Sequence, residues 1–199
     1  MARTRANDFE EKQHGLLLDA ARVFATQGME KASMSQIASA AGVSKSLLYH
    51  YYPSKDALIF EIVHSHLEDL DHALIEADDA TLKPEERLER LVNTVIEAYR
   101  GADDQHKVQL NASQALSEDQ RAEIVKVERR IVKRFSNILR LIHPTLDDPD
   151  RPLLMPVTMS LFGMMNWVYM WFKEEGPISR EDYAHLATVL ILEGIKAVR

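Results

Sequence analysis

The 199-residue chain contains no cysteine. Disulfides, thiolate metal sites and cysteine redox sensing are therefore excluded, and the absence fits a cytoplasmic protein. Glycine and proline are sparse, seven of each, so breaks are few and helices have room to run. Strict apolar–polar alternation, internal repeats and low-complexity tracts are all missing, which removes the usual signs of strands and arrays. The start, MARTRANDFEEK, lacks the apolar stretch of a secretory leader. There is no Gly-rich phosphate loop, and no nucleophile, base and oxyanion donors fall into a hydrolytic pattern. The expectation is an all-α chain with no catalytic residues, no cofactor and no metal.

A more local absence is more informative. No acidic residue occurs between Lys31 and Lys55. Overall the chain is acidic, with net charge −7. Residues 1–55, however, hold seven Lys/Arg against five Asp/Glu, net +2, leaving 17 against 26 in the remainder, net −9. A mildly basic head on an acidic body is the asymmetry of a DNA reader with a separate sensing domain.

What fills the acid-free stretch has its own grammar. Ser33 with Gln36 makes a capping box. Ile37, Ala38 and Ala41 give a short helix a small apolar face, and Gly42 follows where a left-handed residue ends a helix. Ser44 then caps a second helix, Lys45 to Tyr52, which Pro53 stops. Two short helices around a glycine turn form a helix-turn-helix, whose second helix enters the major groove of DNA. Lys45, Ser46, Leu47 and His50 are the candidates for base edges. Ser33, Ser44, Tyr49 and Lys55 are the candidates for phosphate anchors. Helix one reads as 8–27, preceded by an arm whose Arg3 and Arg5 suit the minor groove or backbone.

The stretch resembles the DNA-binding domain of TetR-type transcriptional regulators. The match runs through Gly28, Ser33, Ile37, Ala38, Ala41, Gly42, Val43, Ser44, Leu48, Tyr49, Tyr51, Tyr52, Lys55 and Leu58. Ser46 and Leu47 depart from the residues usual in that family, which leaves base preference open. The resemblance implies a three-helix head, residues 1–53, and a helical ligand-binding and dimerisation domain, residues 54–199. It also implies that helix four, 54–78, links the two, and that an effector in the body changes the spacing of paired heads on a pseudo-palindromic operator.

Beyond the head, apolar residues recur at helical spacing. They include Val63, Leu67, Leu70 and Leu74, then Leu88 to Tyr99, then Ile124, Val127, Ile131, Phe135 and Ile138. Residues 103–114 read as a short helix of mixed polarity. His64, Glu68 and His72 share one face, and Glu11 with His14 and Glu61 with His64 mimic ligand spacing. A solvated face accounts for them better than a metal does. Arg129, Arg130, Lys133 and Arg134 form the densest basic patch. Residues 153–172 carry no charge over twenty positions, long enough for a bilayer. Pro156, Thr158, Ser160, Asn166 and Tyr169 dilute the run, so burial against a core and a partner subunit is expected instead of a membrane. The last two helices are expected to build a homodimer.

Residues 163–172 and 176–179 are similar to the C-terminal segment of family members that sense acyl-CoA thioesters. That implies a small hydrophobic effector, with Tyr99, Phe135, Met159, Phe162, Asn166 and Trp167 lining its site and Arg129, Arg130, Lys133 or Arg134 near CoA phosphates. A pocket for hydrophobic drugs is the nearest alternative. A helical metal-dependent enzyme or small-molecule carrier that does not bind DNA is the alternative of another class.

Overall fold

The computed structural model describes the backbone of residues 2–197 and the side chains of 12–197. Ten α-helices account for most of it: α1 Ala2–Gln27, α2 Met34–Ala40, α3 Lys45–Tyr51, α4 Lys55–Ala77, α5 Pro84–Ala98, α6 Asp103–Asn111, α7 Glu118–Ile142, α8 Leu154–Asn166, α9 Val168–Trp171 and α10 Arg180–Ala197. Short 3₁₀ turns follow α6 and α7. No strand occurs among the described residues.

The chain divides into two compact units, one comprising 1–67 with 101–125 and the other 68–100 with 126–199. The sequence expectation split the chain once. The structure groups α6 and the start of α7 with the helices of the head, because α6 packs on α1. Helices α4 and α7 each contribute to both units.

Within the first unit Leu16, Leu17, Ala20, Ala21 and Phe24 of α1 meet a core that includes Ile37, Leu48, Leu58 and Ile59, all buried. Helix one begins at Ala2, so the residues read as an arm are its first turns. The side chains of Arg3 and Arg5 lie outside the described residues.

In the second unit α10 packs on α5 and α8. Pro84 opens α5, where a missing N–H costs nothing. Leu88, Leu91, Val92, Val95 and Ile96 are fully buried. The apolar run 153–172 is not one helix. It breaks at Trp167 into α8 and the short α9. The Tyr183 hydroxyl donates to the Met164 carbonyl at 3.0 Å, satisfying an oxygen near the end of α8. No helix among the described residues is long and apolar enough to cross a membrane.

Two charged clusters tie this unit together. Asp71, buried on α4, takes Arg130 Nε at 2.7 Å and Arg134 at 3.5 Å from α7. Arg134 also reaches Asp78 at 2.9 Å, and Arg87 holds the same carboxylate. Those two guanidinium partners, Arg87 first, keep the Asp78 carboxyl below its usual range despite some desolvation. At the far end of α5 the buried Arg180 donates to the Ile96 carbonyl at 2.9 Å and to Glu174 at 2.6 Å, and its guanidinium lies over the Phe172 ring.

Candidate nucleic-acid interface and effector domain

The helix-turn-helix is fixed by its own short-range bonds. Ser33 Oγ accepts from Gln36 N–H at 3.3 Å, and the Gln36 side-chain oxygen takes the Ser33 N–H at 2.8 Å. Helix α2 ends in a Schellman motif. Val43 N–H reaches Ala38 O, Gly42 N–H reaches Ser39 O, and Gly42 sits at φ +64. Ser44 Oγ then caps α3 through Leu47 N–H at 3.1 Å, and Ser54 Oγ caps α4 through Ala57 N–H at 3.0 Å.

Along α3 only Leu48 is buried. Lys45, Ser46, Leu47, Tyr49 and His50 are all exposed, as is Ser44. The Lys45 ammonium lies 5.8 Å from the centre of the Tyr49 ring, so the two share a surface one turn apart. Leu47 presents an apolar group suited to a thymine methyl.

Two of the expected phosphate anchors have prior engagements. The Ser33 hydroxyl both donates to and accepts from Gln36, so it serves as a cap and has no proton left for DNA. Lys55 Nζ donates to the carbonyls of Glu30 at 3.1 Å and Ala32 at 3.3 Å, pinning the start of α4 to the loop before α2. Tyr52, matched in the sequence only as part of the family pattern, positions α3 from behind. Tyr52 ends the helix, is buried, and accepts a bond from Gln13 of α1 at 3.1 Å. Burial raises its phenol above the ordinary value. Nothing local in the sequence marks that 39-residue separation.

The same unit holds a second pair with no sequence signal. His66 of α4 and His106 of α6 meet edge to face with ring centroids 6.3 Å apart. Burial first, and the neighbouring His106 second, push His66 down to about 4. Of the residues read as a metal-like face, Glu68 takes Arg130 at 2.8 Å and His64 stacks on Phe60. The side chain of Glu11 lies outside the described residues.

The expected effector residues separate into three groups in the second unit. Tyr99 pairs with the half-buried Asn166, and the buried Phe135 pairs with the buried Phe162. The Tyr99 hydroxyl donates to Asn166 Oδ1 at 2.9 Å, and the two phenyl rings meet at 5.1 Å. Burial, with Glu128 nearby, raises the Tyr99 phenol well above its usual value. Met159 and Trp167 instead stand 50% and 57% exposed, which removes them from an interior lining. Arg130 bonds Asp71 and Glu68 and Arg134 bonds Asp78, while Arg134 Nε is buried without a hydrogen-bond partner. A phosphate there would have to displace buried carboxylate bonds, so these two arginines brace α4 against α7. Arg129 and Lys133, exposed one turn apart, have no carboxylate partner among the described residues.

Met155, Met159, Trp167, Met170, Trp171, Leu186 and Leu190 are each more than two-fifths exposed. They come from α8, α9, α10 and the break between the first two. Exposed large apolar side chains on packed neighbours such as α8 and α10 are candidates for an interaction surface.

Comparison with known proteins agrees with both ends of the chain. Residues 16–62 match the family described as bacterial regulatory proteins, tetR family. Residues 81–195 match the tetracyclin repressor-like C-terminal domain. The HTH-type transcriptional repressor KstR2 of Mycolicibacterium smegmatis is 26% identical over 183 residues, covering 90% of this chain and 88% of that protein. The crystal structure of a TetR-family transcriptional regulator from Bordetella parapertussis superposes with a TM-score of 0.82 at 32% identity, covering 92% of this chain and 95% of that one. AibR, crystallised in complex with isovaleryl coenzyme A and operator DNA, superposes at 0.76 with 25% identity, over 90% of this chain and 97% of that one. A capped helix-turn-helix with an exposed, acid-free second helix, joined to a matching C-terminal domain, makes this chain a member of the TetR family, a DNA-binding transcriptional regulator and not an enzyme.

Proposed function

We propose that the protein is a homodimeric repressor, released from a pseudo-palindromic operator when an acyl-CoA thioester binds within residues 54–199. The observation that carries the reading is α3, which exposes Lys45, Ser46, Leu47 and His50 in a stretch with no carboxylate. Residues 1–53 read DNA. Lys45, Ser46, Leu47 and His50 face base edges, while Tyr49, Ser44 and the ammonium of Lys55 meet phosphates. A dimer places two such helices about 34–36 Å apart, or a multiple, to match half-sites on one face of the duplex. Met159, Trp167, Leu186 and Leu190 form the seam between subunits.

The effector reading is supported by the interior of the second unit. Phe135 and Phe162 supply an apolar lining that an acyl chain enters by rotating the rings, and Tyr99 with Asn166 supplies the polar pair for a thioester carbonyl. The CoA phosphates fall to Arg129 and Lys133, whose charges are unspent. AibR, a structural relative that binds isovaleryl coenzyme A, adds to this reading. Binding acts on DNA only insofar as the thioester prefers one spacing of the heads over another.

The test is release of the full chain from its own upstream intergenic DNA by a panel of acyl-CoAs. One member of the panel should dissociate the complex, and Tyr99→Phe should raise the concentration required. A panel without effect on a specific complex removes the thioester and leaves the regulator.

A further inference from the structure

A cavity of about 700 Å³ opens in the first unit, where the end of α1 and the start of α4 face α6 and the turn after it. That is the size of sites that take a small organic ligand. Half-buried Ala25, Met29 and Ala115 give it apolar surface, backed by the buried Phe24, Ile59 and Val108. Its wall carries Lys31, Lys55 and Lys107 against Glu30 and Asp56, a surplus of one positive charge.

Two of those lysines are poised for an anion. Lys55 Nζ is held by two neutral carbonyl oxygens, at 3.1 and 3.3 Å, so its position is set while its charge has no carboxylate partner among the described residues. An ammonium has three donors, and two are used. An anion meeting the third costs little further side-chain freedom. Lys107, on the α6 side, pairs among the described residues with Asp104 at 3.8 Å, close to the limit for an ion pair.

We propose that this cavity is a second ligand site, taking a carboxylate-headed apolar molecule of fatty-acid type. The carboxylate sits toward Lys55 and Lys107, and the chain lies over Ala25, Met29 and Ala115. The site shares no residue with the Tyr99–Asn166 interior and goes beyond the effector reading given above. Because Lys55 is also a phosphate anchor in the proposed DNA complex, an occupant draws on charge that the DNA backbone uses.

Heteronuclear NMR of the full chain, with dodecanoate as the probe, tests this. Saturable shifts are expected at amides of residues 24–31, 55–59 and 107–115, complete by about 1 mM. Lys107→Glu should weaken binding roughly tenfold, and Lys107→Arg should retain it. Tyr99→Phe should leave these shifts as they are. Absence of saturable shifts in those segments overturns the site, as does a Lys107→Glu variant that binds equally well. Shifts confined to residues 95–99, 131–135 and 158–166 would place dodecanoate in the effector interior, overturning the second site while sparing the effector reading. Failure of every acyl-CoA to release DNA, with the head shifts intact, would remove the effector reading alone.

Discussion

Helix α3 and its cap Ser44 turn Ser44, Lys45, Ser46, Tyr49 and His50 to solvent, whereas the second unit turns out Met155, Met159, Trp167, Leu186 and Leu190. The first surface keeps its polar groups hydrated until phosphate and base edges replace the water, and it binds through charge that salt screens. The second gains by losing water altogether and is little affected by salt. The two regions also differ in how they are held. Bonds between residues three to five apart set the turns of the head. The body depends on pairs such as Arg134 with Asp78 and Tyr99 with Asn166, 56 and 67 residues apart. The head adds a few distant bonds, Gln13 to Tyr52 and Lys55 to the Glu30 and Ala32 carbonyls, to that local frame.

Changes to single residues can break or sharpen that contrast. The largest effect is expected from Arg134→Ala. It strips one partner from the buried Asp71 and one from Asp78, and should cost about 3 kcal/mol in urea unfolding. Arg130 still holds Asp71, which keeps the loss at the low end for a broken buried pair. A loss under ~1 kcal/mol would mean the cluster is a surface ornament. Next comes Leu190→Asp. A charge in the proposed seam should weaken the dimer by about 2 kcal/mol or more, roughly thirtyfold, in sedimentation equilibrium, with helicity unchanged. An undisturbed dimer would move the seam elsewhere.

Lys45→Ala should cost roughly 1–3 kcal/mol on the operator and relax preference at one base pair. Equal losses on operator and random DNA would reassign Lys45 to phosphate. The smallest effect is expected from Ser33→Ala, about 1 kcal/mol of stability, because it removes one cap and nothing buried. A loss much larger than that would show that the head relies on distant contacts after all.

The same contrast explains what could be read without a structure. Ser33, Gln36, Gly42 and Ser44 announce the helix-turn-helix because each acts on neighbours within a few residues. The apolar stripes of α4, α5 and α7 were equally plain from their period. The break at Trp167 was not, since no glycine or proline stands there and the hydroxyl that takes the Met164 carbonyl belongs to Tyr183, 19 residues away. The basic patch on α7 was visible as a run of charge, but its carboxylate partners lie on α4 and just beyond it. Met159 and Trp167 read as pocket residues because composition cannot tell an inward methionine from an outward one.

The most direct test of the central claim is equilibrium binding of the full chain to its own upstream intergenic DNA and to random DNA of equal length, across a range of salt. The account predicts that the upstream DNA is bound at least about a thousandfold more tightly, with a steep loss of affinity as salt rises on both DNAs. Equal affinity for the two DNAs at every salt concentration would contradict it.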